Sequence, residues 1–157
     1  MNKVENAIIY IESDALDARE LKYALDQSSI VAKTDRSGII TEVNDKFCEI
    51  SGYSKSELVG QTHKIINSGH HNKLFFKEMW KTISSGTVWR NEVCNRKKSG
   101  EIYWVDTTIV PMVDQNKKIV SYLAIRSDIT DRKAAEAALF TSKKLASLGE
   151  MAGGIAH

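Results

Sequence analysis

The stretch from Asn72 to Val105, NKLFFKEMWKTISSGTVWRNEVCNRKKSGEIYWV, constrains the fold more than any other because its apolar period changes partway through. Phe75, Met79 and Ile83 fall four apart, with Phe76 and Trp80 one step round the same side, which predicts an amphipathic helix. Asn72 is placed to cap it, and Gly86 stands where a left-handed residue ends a helix. Val88 to Arg96 then alternates with period two. Trp89, Asn91, Val93 and Asn95 share one side; Arg90, Glu92, Cys94 and Arg96 share the other with Val88. Lys97-Lys98-Ser99-Gly100 turns the chain, and Ile102 to Met112 returns as a partner strand. The charged side is expected to face solvent, which turns Asn91 and Asn95 inward beside Trp89. A buried amide left without partners costs roughly 1–3 kcal/mol. Backbone or water meets that need in an ordinary core; the alternative is a pocket whose amides orient a polar ligand among aromatic walls.

The elements upstream are shorter. Residues 7–11 read as a brief strand or the start of a helix, and Ser13 or Asp14 caps a helix through Gln27 with Leu16, Leu21, Ala24 and Leu25 on its apolar side. Ser28–Thr34 and Ile39–Asn44 read as strands joined by the turn sequence Asp35-Arg36-Ser37-Gly38. Asn44-Asp45 opens a short helix carrying Phe47, Cys48 and Ile50 and closed by Gly52; Ser54-Lys55-Ser56-Glu57 fits a capping box. Gln61 to His71 is a polar, histidine-containing segment, in which the adjacent His70 and His71 are expected to point apart. Ile119 to Ile125 is the last strand. Grouped strands with a helical insertion indicate an α+β domain on an antiparallel sheet.

Composition excludes several classes. With 157 residues, 42% hydrophobic, the chain holds one well-buried domain and an appendage. A net charge of +2 with interspersed signs gives no basis for nucleic-acid binding, and no run approaches the length of a membrane span. The opening MNKVENAIIYIES lacks the pattern of a signal peptide, and Cys48 and Cys94 make no disulfide framework, so a cytoplasmic protein is expected.

The run TDRSGIITEVNDKFCEISGYSKSELVG resembles the opening of a PAS sensor domain, and RKKSGEIYWVDTTIVPMVDQNKKIVSYLAIRSDITDRK resembles its close, with the exit signal Asp128-Ile129-Thr130. The resemblance implies a five-stranded antiparallel sheet whose inner face, with short helices, encloses a small-molecule cavity. It divides the chain into an N-terminal flanking segment (1–23), the PAS domain (24–130) and a signalling helix (131–157).

That last segment has no proline, and a heptad seam runs through Ala134, Ala138, Thr141, Leu145, Leu148, Ala152 and Ile155. It reads as a coiled-coil helix that pairs in a homodimer. The tail SKKLASLGEMAGGIAH is similar to the phosphoacceptor region of sensor histidine kinases, in which the matching histidine, here His157, attacks the γ-phosphate of ATP held by a separate domain. No phosphate-cradling glycine loop or acidic metal cluster accompanies it. The chain therefore reads as the truncated input half of a kinase, inactive alone, whose partners are a C-terminal ATP-binding domain and a response regulator. Asp128, Ile129 and Thr130 are the expected coupling residues.

Residue types separate the ligand readings. PAS photoreceptors of the LOV kind place a reactive cysteine where Gly60-Gln61-Thr62-His63 has histidine, which speaks against flavin-adduct chemistry. Haem PAS domains use an imidazole on or near the long helix, which here contains no histidine; His63 is the remaining candidate, a weak one. Trp80 followed at the right distance by Asn95-Arg96, together with Trp89, resembles the flavin-binding PAS domains of redox and aerotaxis sensors, in which the matching tryptophan and asparagine contact the isoalloxazine ring. His63 stands in place of an acidic residue found in some members. The expected cofactor is FAD or FMN, with Trp80, Asn95, Trp89, Asn91 and His63 around it and no metal. The alternatives are a cofactor-free interaction and dimerisation module or a small-metabolite sensor. An enzyme using His63 as a base is disfavoured, since no carboxylate or nucleophile is placed beside it.

Overall fold

The computed structural model describes residues 17–156. The expectations for residues 1–16, and His157 itself, lie outside the described residues. Residues 17–28 form helix α1, followed by β1 (Ile30–Asp35), β2 (Ile40–Val43), α2 (Asp45–Ser51), α3 (Lys55–Leu58), a 3-10 turn (His63–Ile66), α4 (Lys73–Ser84), β3 (Trp89–Arg96), β4 (Ile102–Val113), β5 (Ile119–Asp128) and α5 (Thr130–Ala156). The five strands make one sheet in the order β2-β1-β5-β4-β3, every neighbouring pair antiparallel. The first and last strands therefore meet in the middle, and the helical insertion between β2 and β3 covers one face. This is the expected α+β architecture.

Local chemistry sets the joints. Asp35 Oδ1 accepts from the Ser37 and Ile39 N–H groups and from Ser37 Oγ, closing the β1–β2 turn; Asp114 Oδ1 does the same for Asn116 and Lys118 in the β4–β5 turn. Asn44 caps α2 through Phe47 N–H, accepts from Val31 N–H and donates to the Ser29 carbonyl, so one amide fixes α2 to β1. The capping box of Ser54 and Glu57 is formed in both directions. Asn72 caps α4 through Phe75 N–H. The core between helices and sheet contains Phe47, Leu58, Ile66, Ile83 and Val105, all essentially without solvent exposure.

Four expectations change. The apolar side assigned to α1 is largely in solvent, with Leu21 71% exposed, Ala24 exposed and Leu25 half-buried. β5 continues three residues past Ile125, to Asp128, since β4 pairs with it as far as Val105. Asn91 is exposed and Cys94 is buried, the reverse of the alternation. Both follow from β3 being an edge strand. Its free edge is closed by the segment 68–71: Ser68 Oγ donates to the Cys94 carbonyl (2.6 Å), and Cys94 N–H donates to His71 Nε2 (2.9 Å). Asn91 turns its carbonyl over the same edge to accept from Glu92 N–H (2.8 Å). His70 and His71, expected to diverge, meet edge to face at 4.9 Å because the chain bends at Gly69 (φ 80°) instead of continuing extended.

α5 touches the domain only near its start. From Ala134 to Gly153 every residue is exposed, including Leu139, Phe140, Leu145 and Leu148. No helix among the described residues is long and apolar enough to cross a membrane.

Candidate functional site

The inner face of the sheet and the segment from the 3-10 turn to α4 enclose a cavity of about 690 Å³. Its walls are mostly apolar: Trp89, Ile109 and Val93 from the sheet, Ile83, Met79 and Phe76 from α4. α4 supplies this wall because its apolar residues recur with helical period, as its sequence predicts. Trp80 stands at one mouth, 38% exposed, in edge-to-face contact with Tyr122 (5.7 Å). Gly38, in the β1–β2 turn at φ 94°, lies against this indole; a Cβ there would fall 2.9 Å from Trp80 Cη2. A side chain at that position is thus excluded both by backbone conformation and by the tryptophan. Lys64 and Lys73 also line the opening.

Four of the five residues expected around a ligand line this cavity. Trp80, Trp89, Asn95 and His63 are brought together from α4, β3 and the 3-10 turn. Asn91 does not line it, for the edge-strand reason given above. Further polar residues line the cavity without having been expected, among them Arg126 on β5 and Thr107 on β4. These two are register partners, so their side chains stand side by side on the inner face. Ending the last strand at Ile125 hid Arg126. The available signal was the period-two series Tyr122, Ala124, Arg126, whose first two members are apolar or aromatic and buried.

Among the described residues, the polar atoms of this floor find no partners. Arg126 Nη1, Thr107 Oγ1 and His63 Nε2 are each buried with no hydrogen-bond partner. Burial pushes the Arg126 guanidinium down to about 10, partly offset by Tyr103, and it stays charged at neutral pH. The same burial, with the Arg126 cation nearby, holds His63 well below 6.5 and leaves it neutral. Tyr103, beneath Arg126 and beside the Asn95 amide, is pushed up to about 12 mainly by burial. No aspartate or glutamate lines the cavity among the described residues. Arg126 has instead the Phe47 ring, 5.5 Å from its guanidinium carbon.

Just beyond Arg126, where β5 runs into α5, the contacts are complete. Ile129 N–H donates to the Trp104 carbonyl (2.9 Å), and Trp104 N–H donates to Thr130 Oγ1 (3.0 Å). Thr130 is held in turn by Asp128 Oδ1, which accepts from its N–H (3.0 Å) and hydroxyl (2.6 Å). Glu92 on β3 pairs with Arg132 (2.9 Å) and Lys133 (3.3 Å), and Lys133 also lies 4.4 Å over the Trp104 ring. Asp128, Ile129 and Thr130 therefore anchor α5 to β4, two residues from Arg126 on the same strand.

Comparison with known proteins gives a consistent result. A family model described as a PAS domain matches residues 27–131. The aerotaxis receptor of Escherichia coli (strain K12) is 39% identical over 110 residues, 70% of this chain and 22% of the receptor. Sporulation kinase C of Bacillus subtilis (strain 168) is 31% identical over 138 residues, 82% of this chain and 32% of the kinase. The crystal structure of a PAS domain from Colwellia psychrerythraea matches with a TM-score of 0.66 at 25% identity, covering 73% of this chain and 98% of that one. The chain thus spans about a fifth to a third of the length of these curated relatives.

Proposed function

The chain belongs to the PAS domain family, and we propose that it is the sensory input and dimerisation module of a two-component sensor histidine kinase, reading its signal as the redox state of a flavin held in the cavity. The observation that carries this reading is a ligand-sized cavity lined by Trp80, Trp89 and Asn95 on a sheet whose last strand runs directly into α5. An aerotaxis receptor and a sporulation kinase among the relatives support the sensory role and the kinase context respectively.

The residues fit a flavin. The two indoles offer flat apolar surface, and Asn95 offers both donor and acceptor to a ring edge. The partnerless Arg126, Thr107 and His63 atoms match the need of the ring's carbonyl and nitrogen edge for hydrogen bonds, while Lys64 and Lys73 at the opening suit phosphate. A bound flavin would supply reversible electron uptake coupled to protonation. The protein's part is to orient the ring, exclude water and register the altered hydrogen bonding. Strain on β5 then bears on the Asp128–Thr130–Trp104 junction and on the pitch of α5. The exposed seam of α5, with Leu145 and Leu148, pairs with a second copy, and His157 is the phosphoacceptor for an ATP-binding domain, the phosphoryl group passing on to a response regulator. A second reading, a small acidic metabolite as the ligand, is favoured by one feature, the unpaired Arg126 cation.

The visible spectrum of freshly purified protein, with heat release of anything coloured, tests the flavin. Two flavin bands and stoichiometric FAD or FMN are expected, lost on Trp80→Ala together with Asn95→Ala; a colourless protein that takes up neither flavin removes the reading. In the complete kinase, Asp128→Ala is expected to uncouple autophosphorylation from the signal. An unchanged response would remove the junction from the pathway.

A further inference from the structure

We propose that Arg126, Thr107 and His63 form an oxyanion subsite, which makes the cavity select ligands bearing a negative charge, or a group that becomes negative, on a planar acceptor edge. The proposal rests on the cavity being a ligand site and not on that ligand being a flavin. A carboxylate and the pyrimidine edge of a reduced flavin share the chemistry.

Three observations carry it. First, the three groups come from separate elements, β5, β4 and the 3-10 turn, yet all line one cavity, and each presents a buried atom with no partner. Second, the charge is not answered among the described residues. Arg126 is 6% exposed, no carboxylate among the described residues lines the cavity, and its neighbours are the Phe47 ring and the Tyr103 phenol, whose pKa is raised rather than lowered. A guanidinium buried without an anion is costly, and such groups persist where something supplies the missing charge. Third, the geometry is that of a fork beside a hydroxyl. Register pairing sets Thr107 against Arg126, so a planar N–H donor pair and an O–H donor can meet two acceptor atoms of one group. His63, kept neutral, completes the floor without adding a second positive charge.

The test uses a pair of probes that differ in charge and little else, benzoate and benzamide, titrated at neutral pH into the full 157-residue chain with thermal shift and calorimetry as readouts. Wild type is expected to bind benzoate about tenfold more tightly than benzamide. Arg126→Met should abolish that preference, Arg126→Lys should retain part of it, and Thr107→Val should weaken benzoate a few-fold, about the effect of one neutral hydrogen bond. The lysine and valine variants keep the proposal testable if the methionine variant does not fold. Equal shifts from the two probes, no shift from either, or a benzoate preference that survives Arg126→Met would overturn the subsite, the floor then being water-filled. FAD and FMN uptake is measured in parallel. A benzoate preference without flavin uptake keeps the subsite and removes the flavin; equal flavin uptake by wild type and Arg126→Met with no benzoate preference does the reverse.

Discussion

The two sides of the sheet use similar groups to opposite ends. On the outer side, Lys133 meets Glu92 and the Trp104 ring and Arg132 meets Glu92, while at the edge of β3 His71 accepts from the Cys94 backbone and stacks on Phe75 at 3.9 Å. On the inner side, Arg126 Nη1 and His63 Nε2 are buried and have no hydrogen-bond partner among the described residues. A histidine with one or two basic residues is thus a structural clamp in one place and a receptive surface in the other. Residue type does not distinguish them. The state of their hydrogen bonds does, because a buried donor without a partner is tolerated at a cost that only a ligand or solvent can offset.

The contrast can be broken at its strongest contact. Trp104→Ala removes the ring beneath Lys133 and beside His70, and is expected to lower unfolding free energy by about 3 kcal/mol in urea titrations; a loss below about 1 kcal/mol would show that the outer clamp holds little. The inner side predicts the opposite sign. Arg126→Met, by removing an unanswered buried charge, should raise the stability of the ligand-free domain by about 1 kcal/mol. A destabilised variant would mean that Arg126 already has its partner and belongs with the clamp.

The finest distinction is in pH. Both His63 and His71 are lowered from 6.5, the first well below it, chiefly by burial in each case. A depressed histidine contributes stability that is present above its unfolded pKa and lost as pH falls through the folded value. Stability of the ligand-free domain should therefore decline as pH is taken below about 6.5. His63→Gln should remove more of that decline than His71→Gln, as followed by denaturation midpoints across that range. A larger share from His71 would reverse the ranking of the two sites.

Much of this was legible in the chain. The capping box at Ser54, the Asn72 cap and the Asp35 turn are local features, set by contacts within a few residues, and each appears where its pattern places it. Trp80, Trp89, Asn95 and His63 could be grouped through a family resemblance, and they do share a cavity. The misreadings arose where the sheet edge or a backbone bend overrode the simple alternation. Cys94 is buried because Ser68 and His71 cross the edge of β3, 26 and 23 residues away. Asn91 left the inner face because that edge offered it the Glu92 N–H. His70 and His71 meet because the chain bends at Gly69.

By itself, then, the sequence determined the α+β domain, its element order, its turns and the aromatic wall, since periodicity and capping are properties of neighbouring residues. Only the tertiary structure decided which polar side chains face inward and unanswered. Thr107 and Arg126 become a pair through the β4–β5 register, and His63 joins them from across the cavity. Whether a buried charge is paired depends on everything packed around it, and no stretch of the chain carries that information alone.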